Sequence, residues 1–238
     1  MEHILILGGD QRQKELLKLF EKKKAPVTAV FETKNLPEKN AAEKYDLIVL
    51  PLPCSKDGKN VFSANGKLSV ALFDVLNFAK SDTFVVGGSF SDSFRAAAEE
   101  KKTVLFDLFG EKDFALYNAY LTAQGAVRLL LENTKEYVVS RRALVTGFGK
   151  VGKATALFLK NLGLDVYVFA RRNEVLTEAS ALGFKTIEKG NLSFCVHLFD
   201  FIFNTVPNRL FAAEDVYRFK RGAVYFELAS SPFGAEKS

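Results

Sequence analysis

The stretch VTGFGKVGKATALF, residues 145–158, decides the fold prediction. It fits the pattern G-x-G-x-x-G, between an apolar strand and a run of strong helix formers. In such loops the first glycine permits the tight turn, the second lets the backbone approach a pyrophosphate, and the third lets the helix pack closely. The helix N-terminus offers free N–H groups to the phosphates. We therefore predict a dinucleotide-binding loop, against the plainer alternative of a glycine-rich turn without a ligand. The predicted cofactor contacts of this loop are Gly147, Phe148, Gly149, Lys150, Val151 and Gly152.

The next predicted strand, DVYVFA, residues 165–170, runs into Arg171 and Arg172. An NAD-binding sheet normally places an acid here, about 20 residues past the glycines, to bond the ribose 2′-hydroxyl. An arginine suits a 2′-phosphate instead, through a charge-assisted and bidentate contact. The pattern favours NADP over NAD, with Arg171 as the stronger candidate because it is first off the strand. Glu174 argues against this interpretation, and two solvated loop arginines are the alternative.

A third feature is FIFNTVPN, residues 201–208. Its polar residues end a strand on the side where open parallel sheets bind ligands. The predicted cofactor contacts are Asn204, Thr205, Val206 and Pro207. An ordinary turn after a strand is an equally good interpretation of the residues alone.

Apolar runs alternate with helical patterns along the whole chain of 238 residues. The strands are nearly continuous apolar runs, which is typical of buried parallel strands. Alternating strands and helices predict two doubly wound α/β units, each a parallel sheet with helices on both faces. We place a flavodoxin-like substrate domain at residues 1–115, and a linking helix plus a Rossmann-like dinucleotide-binding domain at residues 116–238. One predicted helix, LSVALFDVLNFAK, covers residues 68–80.

Composition excludes several functions. The net charge is +5, and the lysine run at residues 22–24 is more typical of a solvated helix end than of a nucleic-acid patch. Cys54 and Cys195 are far apart, so we expect no metal site, no disulfide framework and a cytoplasmic protein. No stretch is long and apolar enough to predict a membrane span. Neither His3 nor His197 is a convincing acid–base residue, and a G-x-S-x-G elbow is missing, so the catalytic residue stays unassigned.

Several motifs, in one order over nearly the whole chain, resemble the family of the dipicolinate synthase A-subunit. They are GGDQRQ, residues 8–13; LPLPCSKDG, residues 50–58; LYNAYLTAQGA, residues 116–126; and the glycine loop, FNTVPN and ELASSP, the last at residues 227–232. The resemblance implies a two-domain protein that uses NADP to oxidise a dihydrodipicolinate-type substrate to pyridine-2,6-dicarboxylate. It also implies a partner, the dipicolinate synthase B-subunit, and the cytoplasm of the mother cell of a sporulating bacterium. We further expect a homo-oligomer.

The dicarboxylate substrate needs cationic or N–H donors. By resemblance, the candidate substrate-binding residues are Asp10, Arg12, Ser89, Asn118 and Thr122. Arg12, in the first-domain loop, is the leading candidate by resemblance. Asn118 and Thr122 are expected on the linking helix, bordering a cleft between the domains.

The sequence departs from the family pattern at four points. Gln124 replaces a glutamate, Leu121 a usual proline and Phe233 the first glycine of a Gly-Gly pair, and the chain stops at Ser238, before the family's C-terminal segment. A neutral amide does not titrate, so Gln124 cannot transfer a proton. These departures are expected of a trimmed or diverged member. They leave two alternatives to the enzyme: a non-catalytic NADP-binding subunit or sensor, and another small-acid NADP dehydrogenase.

Overall fold

The computed structural model describes residues 3–37 and 45–235. The chain divides into two compact units, Met1–Phe114 and Ala115–Ser238. The boundary predicted from the sequence follows residue 115. Each unit is built around its own five-stranded parallel sheet.

The first unit alternates strands and helices. Its elements are β1 (Ile4–Leu7), α1 (Gln11–Lys22), β2 (Val27–Val30), β3 (Tyr45–Val49), β4 (Ala79–Gly87), α2 (Asp92–Glu100) and β5 (Val104–Asp107). The sheet order is β2-β1-β3-β4-β5, with Ile4 of β1 in register with Val27 and Leu47 on either side. This is the flavodoxin-like order, in which the chain reverses direction across the sheet between β1 and β3.

The helix predicted at residues 68–80 is wrong in type and extent. A 3₁₀ helix occupies Leu72–Phe78, and β4 begins directly after it at Ala79. Leu72, Val75 and Phe78 recur every third residue and are all buried. That spacing places them on one face of a helix with three residues per turn, whereas Leu72, Val75 and the equally buried Leu76 have the spacing of an α-helix, so the apolar pattern alone does not separate the two helix types.

The second unit begins within the long helix and continues the alternation. Its elements are α3 (Lys112–Glu132), β6 (Arg142–Thr146), α4 (Lys150–Asn161), β7 (Asp165–Phe169), α5 (Asn173–Ala181), β8 (Lys185–Ile187), α6 (Leu192–Cys195), β9 (Phe201–Asn204), α7 (Ala213–Tyr217) and β10 (Val224–Glu227). The sheet order is β10-β9-β6-β7-β8, which is the Rossmann order 3-2-1-4-5. The predicted fold class, two doubly wound parallel-sheet units, is confirmed.

The central strands of the second sheet are buried on both faces. Phe201, Ile202 and Phe203 of β9 are at most 1% exposed, and the Phe203 ring stacks on Phe226 of β10 at 4.5 Å between centroids. Such burial fixes the strand ends, and therefore the loops that follow β6, β7 and β9. None of the described helices is long and apolar enough to cross a membrane.

Candidate functional site

The glycine loop after β6 has a backbone that only glycine accommodates at two of its three positions. Gly147 has φ +86°, and a Cβ there would lie 2.6 Å from Thr205 Oγ1 and 2.7 Å from Val206 Cγ2. A Cβ on Gly152 would overlap the carbonyl oxygen of Gly147. These glycines let the loop turn tightly against the end of β9 and let α4 approach it.

Gly149 differs from the other two, because a Cβ there would meet no atom within 4 Å. The position has φ −76°, which any residue adopts, and it is the N-cap of α4 without a capping side chain. Its glycine is therefore not explained by strain or by close packing within the chain. The open space beside it is what a pyrophosphate requires.

The first turn of α4 carries unpaired backbone donors. Lys153 N–H makes the first helical bond, to the Gly149 carbonyl at 2.8 Å. Within the described part of the chain, the N–H groups of Lys150, Val151 and Gly152 have no acceptor. Together with the positive end of the helix dipole, they form an anion-binding arrangement at the carboxyl end of β6.

A pocket of about 480 Å³ adjoins the glycine loop. It is lined by Gly147, Phe148, Gly149, Phe169, Ala170, Arg171, Arg172, Val175, Val206 and Leu210. Apart from its charged end, the lining is mostly apolar, as expected of a nucleotide pocket. Phe148 contributes through its backbone, because its buried ring packs edge-on against Phe184 in the core.

Arg171 and Arg172 supply the charge of this pocket. Both are exposed, and among residues 3–37 and 45–235 neither has an ion pair or a side-chain hydrogen-bond partner. Glu174 follows in the first turn of α5 and is exposed, but it is not among the pocket residues. Two unpaired guanidinium groups at the end of β7 make this end of the pocket suited to a phosphate.

Asn204, predicted as a cofactor contact, is fully buried and uses all its hydrogen-bonding capacity within the protein. Its Oδ1 accepts hydrogen bonds from Thr146 Oγ1 at 2.6 Å and from Val206 N at 3.2 Å. Its Nδ2 donates to Val206 O at 3.0 Å and to Glu227 Oε1 at 2.7 Å. The side chain thus joins β6 to the loop after β9. Thr205 reinforces the same junction, since its hydroxyl donates to Thr146 O at 2.8 Å, and exposed Pro207 follows it.

Sequence reasoning missed Glu227, the last residue of β10. Its carboxylate accepts hydrogen bonds from Asn204, Ala229, Tyr225 and Gly234. These partners come from both β9 and β10 and from the chain that follows β10. No local motif predicts such a cluster, although Glu227 is the acid of the ELASSP segment.

In the first unit, the loop after β1 presents Asp10 and Arg12. Asp10 is the N-cap of α1 and accepts from Arg12 N at 2.9 Å, while Gln13 Oε1 completes a capping box by accepting from Asp10 N at 3.0 Å. The Arg12 side chain donates to the Asp10 carboxylate and, through Nη2, to the Leu52 carbonyl at 2.7 Å. The guanidinium therefore bridges the loops after β1 and β3, where the strand order reverses. The Arg12 hydrogen bond lowers the pKa of Asp10, so this carboxyl stays ionised.

Ser89 lies in the loop after β4 with φ +63°, which is uncommon for serine. Asp107 at the end of β5 holds this loop: its Oδ1 accepts from Ser89 N at 3.3 Å and from Phe109 N at 3.1 Å, and its Oδ2 pairs with Arg95 at 2.5 Å. Sequence reasoning missed Asp107. Ser89 is exposed, in the loop at the carboxyl end of β4.

The remaining predicted substrate residues lie on α3, in the second unit. Asn118 and Thr122 are four residues apart and therefore on one helix face, where the Thr122 hydroxyl donates to the Asn118 carbonyl at 2.7 Å. Gln124 lies on another face of the helix and is exposed. The described residues contain no group of three or more His, Cys, Asp or Glu side chains that could hold a metal ion.

The carboxyl edge of the 3-2-1-4-5 sheet carries a glycine loop, a helix N-terminus and two adjacent arginines. These features define the class of Rossmann-type α/β proteins. In this chain the Rossmann-type unit follows a flavodoxin-like unit. Comparison with known proteins shows which proteins the chain is similar to. Residues 3–109 match the family model described as the N-terminal domain of the dipicolinate synthase A-subunit. This match lies within the first unit, and the resemblance predicted from the sequence motifs is confirmed.

Similarity to individual relatives extends along the whole chain. The chain is 24% identical over 245 residues to the dipicolinate synthase A-subunit of Bacillus subtilis (strain 168), and the match covers 98% of this chain and 82% of the relative. The crystal structure of the dipicolinate synthase A-subunit from Bacillus halodurans superposes with a TM-score of 0.77 at 22% identity, over 99% of this chain and 84% of that one. A transhydrogenase from Sinorhizobium meliloti superposes with a TM-score of 0.66 at 15% identity, over 99% and 72%. The structural likenesses show that the two-unit fold is shared.

Proposed function

We propose that this protein is an NADP-dependent oxidoreductase of the dipicolinate synthase A-subunit type, which oxidises a dihydrodipicolinate-type substrate to pyridine-2,6-dicarboxylate. The observation that carries the cofactor part is the pair of unpaired arginines, Arg171 and Arg172, in the pocket beside the glycine loop. The substrate part rests on the family resemblance and on the cationic loop of the first unit.

The second unit holds the dinucleotide in this proposal. The pyrophosphate lies in the open space beside Gly149 and accepts from the free N–H groups of Lys150, Val151 and Gly152. Thr205, Val206 and Pro207 border the nucleotide, while Asn204 holds them in position from inside the protein. Arg171 or Arg172 pairs with the 2′-phosphate, and the absence of an acid at the end of β7 disfavours NAD.

The first unit binds the substrate in this proposal. Arg12 has a guanidinium already oriented by Asp10 and by the Leu52 carbonyl, and its Nη1 has no acceptor in the described part of the chain. An oriented arginine loses little freedom when it binds a carboxylate. Ser89 offers a hydroxyl, and the family resemblance adds Asn118 and Thr122 of α3 as candidate polar contacts.

Oxidation of a dihydropyridine ring to an aromatic one removes a hydride and a proton. NADP, when bound, accepts the hydride, so the protein chiefly orients the two molecules and balances charge. Gln124 has a neutral amide and cannot accept the proton. In this proposal the proton leaves to solvent, and Arg12 neutralises one substrate carboxylate throughout.

The family resemblance supports the remaining parts of the proposal. They are cooperation with a dipicolinate synthase B-subunit, a homo-oligomeric assembly and a location in the cytoplasm of a sporulating mother cell. A second candidate function is a non-catalytic NADP-binding subunit. Gln124 favours this candidate, because it removes a titratable side chain that the family pattern contains.

Nucleotide binding tests the cofactor proposal directly. NADPH and NADH affinities are measured for the parent, Arg171→Ala and Arg172→Ala by fluorescence titration. We expect the parent to prefer NADPH, and one arginine variant to lose about 10- to 100-fold in NADPH affinity while its NADH affinity is unchanged, since a charge-assisted bidentate contact is lost. A parent that prefers NADH, or two arginine variants with parental NADPH affinity, would refute the NADP proposal.

A further inference from the structure

The carboxylate of Glu227 connects two walls of the nucleotide pocket. Its Oε1 accepts from Asn204 Nδ2 at 2.7 Å and from Ala229 N at 3.1 Å. Its Oε2 accepts from the Tyr225 hydroxyl at 2.8 Å and from Gly234 N at 2.8 Å. Burial and the neighbouring carboxylate raise the pKa of Tyr225 far above its ordinary value, so its hydroxyl remains a donor.

The first wall is Val206, reached through Asn204. Asn204 binds both the N–H and the carbonyl of Val206, so the backbone of this pocket residue is clamped at two points. The amide can do this in one orientation only, because Thr146 donates to its oxygen and Glu227 accepts from its nitrogen. Without the carboxylate, the Asn204 Nδ2 group loses one of its two acceptors and is held by the Val206 carbonyl alone.

The second wall is Leu210, reached through Gly234. The carbonyl of Gly234 accepts from Leu210 N at 2.8 Å and from Phe211 N at 2.9 Å, while its N–H is held by Glu227. Leu210 lines the pocket together with the glycine loop. Gly234 is buried so tightly that a Cβ would overlap the Asn204 amide and lie 2.8 Å from the Tyr225 hydroxyl. This packing explains why the position after Phe233 is a glycine.

We propose that Glu227 is a positioning residue of the nucleotide site, which fixes Val206 and Leu210 by holding Asn204 and Gly234. The inference rests on the proposed nucleotide binding and adds a residue that touches no nucleotide. Four donors from four chain positions converge on one carboxylate, so its removal leaves buried donors unpaired and frees both walls together. Because Val206 and Leu210 are already ordered in the free protein, nucleotide binding loses no free energy to ordering them.

The test compares three variants by NADPH titration and by thermal unfolding. Glu227→Ala loses all four bonds, and we expect its NADPH affinity to fall about tenfold because the walls must be ordered on binding. Glu227→Gln keeps an oxygen toward Asn204 but turns its NH₂ toward the Gly234 N–H, which loses its acceptor; with only the Leu210 wall freed, we expect an NADPH affinity between those of Glu227→Ala and the parent, about threefold below the parent. Tyr225→Phe is the matched control, since it removes one bond to Oε2 and leaves Asn204 bound, so its NADPH affinity should equal that of the parent.

The outcomes separate positioning from simple stabilisation. A stabilising residue alone would lower the melting temperature of Glu227→Ala without changing the NADPH affinity of the folded protein at low temperature, and that result would overturn the inference. Where Glu227→Ala does not fold, Glu227→Asp carries the same expectation, because its carboxylate is one methylene short of Asn204. A parent that binds neither NADPH nor NADH refutes the proposed function and the inference with it, whereas a binding parent with an unaffected Glu227 variant refutes the inference alone.

Discussion

Replacement of Gly149 by alanine should weaken nucleotide binding without destabilising the fold. Alanine at Gly147 or Gly152 would disturb the fold as well, because a Cβ there would collide with protein atoms. The new methyl group meets no protein atom within 4 Å and the backbone has φ −76°, so the folded protein accommodates it. Alanine is a poorer N-cap than glycine, but it also lowers the entropy of the unfolded chain. These effects oppose each other, and we expect the free energy of unfolding to change by less than about 1 kcal/mol, a shift in melting temperature of about 2–4 °C at most.

The same methyl group occupies the space proposed for the pyrophosphate. Inserting a methyl into a filled site costs about 1–3 kcal/mol, which corresponds to a loss of roughly 5- to 150-fold in NADPH affinity. The assay is fluorescence titration of NADPH at a temperature well below unfolding, with melting curves for each variant.

Gly125→Ala is the matched control for this prediction. Gly125 is in the middle of α3 and also has open space around its Cα, so alanine there should raise the stability by up to about 1 kcal/mol and leave the NADPH affinity unchanged. Parental NADPH affinity in Gly149→Ala would refute the placement of the pyrophosphate. A melting temperature lowered by much more than a few degrees would refute the claim that Gly149 is free of internal packing.

Two further predictions concern charged groups. Burial raises the pKa of Asp200, but hydrogen bonds from Lys220 and from the Arg142 backbone outweigh burial, so the net pKa is lowered. The ionised Asp200 should therefore contribute its full stabilisation above the ordinary aspartate pKa. That stabilisation should be lost as the pH falls through the lowered pKa. Asp200→Asn should weaken this acid dependence of the melting temperature, and an unchanged pH profile would contradict the assignment. Arg12→Lys keeps the positive charge but lacks the planar fork that binds a carboxylate through two N–H groups, and we expect its affinity for pyridine-2,6-dicarboxylate, measured calorimetrically, to fall about tenfold with little change in melting temperature. Parental affinity would remove Arg12 from the proposed substrate site.

Features that depend on neighbouring residues in the sequence were predictable. The spacing of Gly147, Gly149 and Gly152 fixes a strand, a turn and a helix, and the structure has β6, the loop and α4 at those positions. The two arginines follow directly from the end of β7. Continuous apolar runs such as residues 201–203 predicted buried parallel strands, because both faces of such strands are covered.

Features that depend on contacts between distant residues were not predictable. Glu227, Asn204 and Gly234 meet only because β9 and β10 are adjacent and the following loop folds back. Asp107 likewise holds Ser89 across 18 residues. The strand β8 has only three residues, too few to show a pattern, and the 3₁₀ helix at Leu72–Phe78 has an apolar content that fits an α-helix almost as well.

The measurement that tests the central proposal most directly is turnover. The chain is mixed with freshly prepared dihydrodipicolinate and NADP, with and without a dipicolinate synthase B-subunit, and NADPH absorbance is followed together with the appearance of pyridine-2,6-dicarboxylate. The proposal predicts that NADPH and the dicarboxylate form in equal amounts, faster with NADP than with NAD. Clear NADP binding with no NADPH formed under either condition would contradict it and would favour a non-catalytic nucleotide-binding subunit.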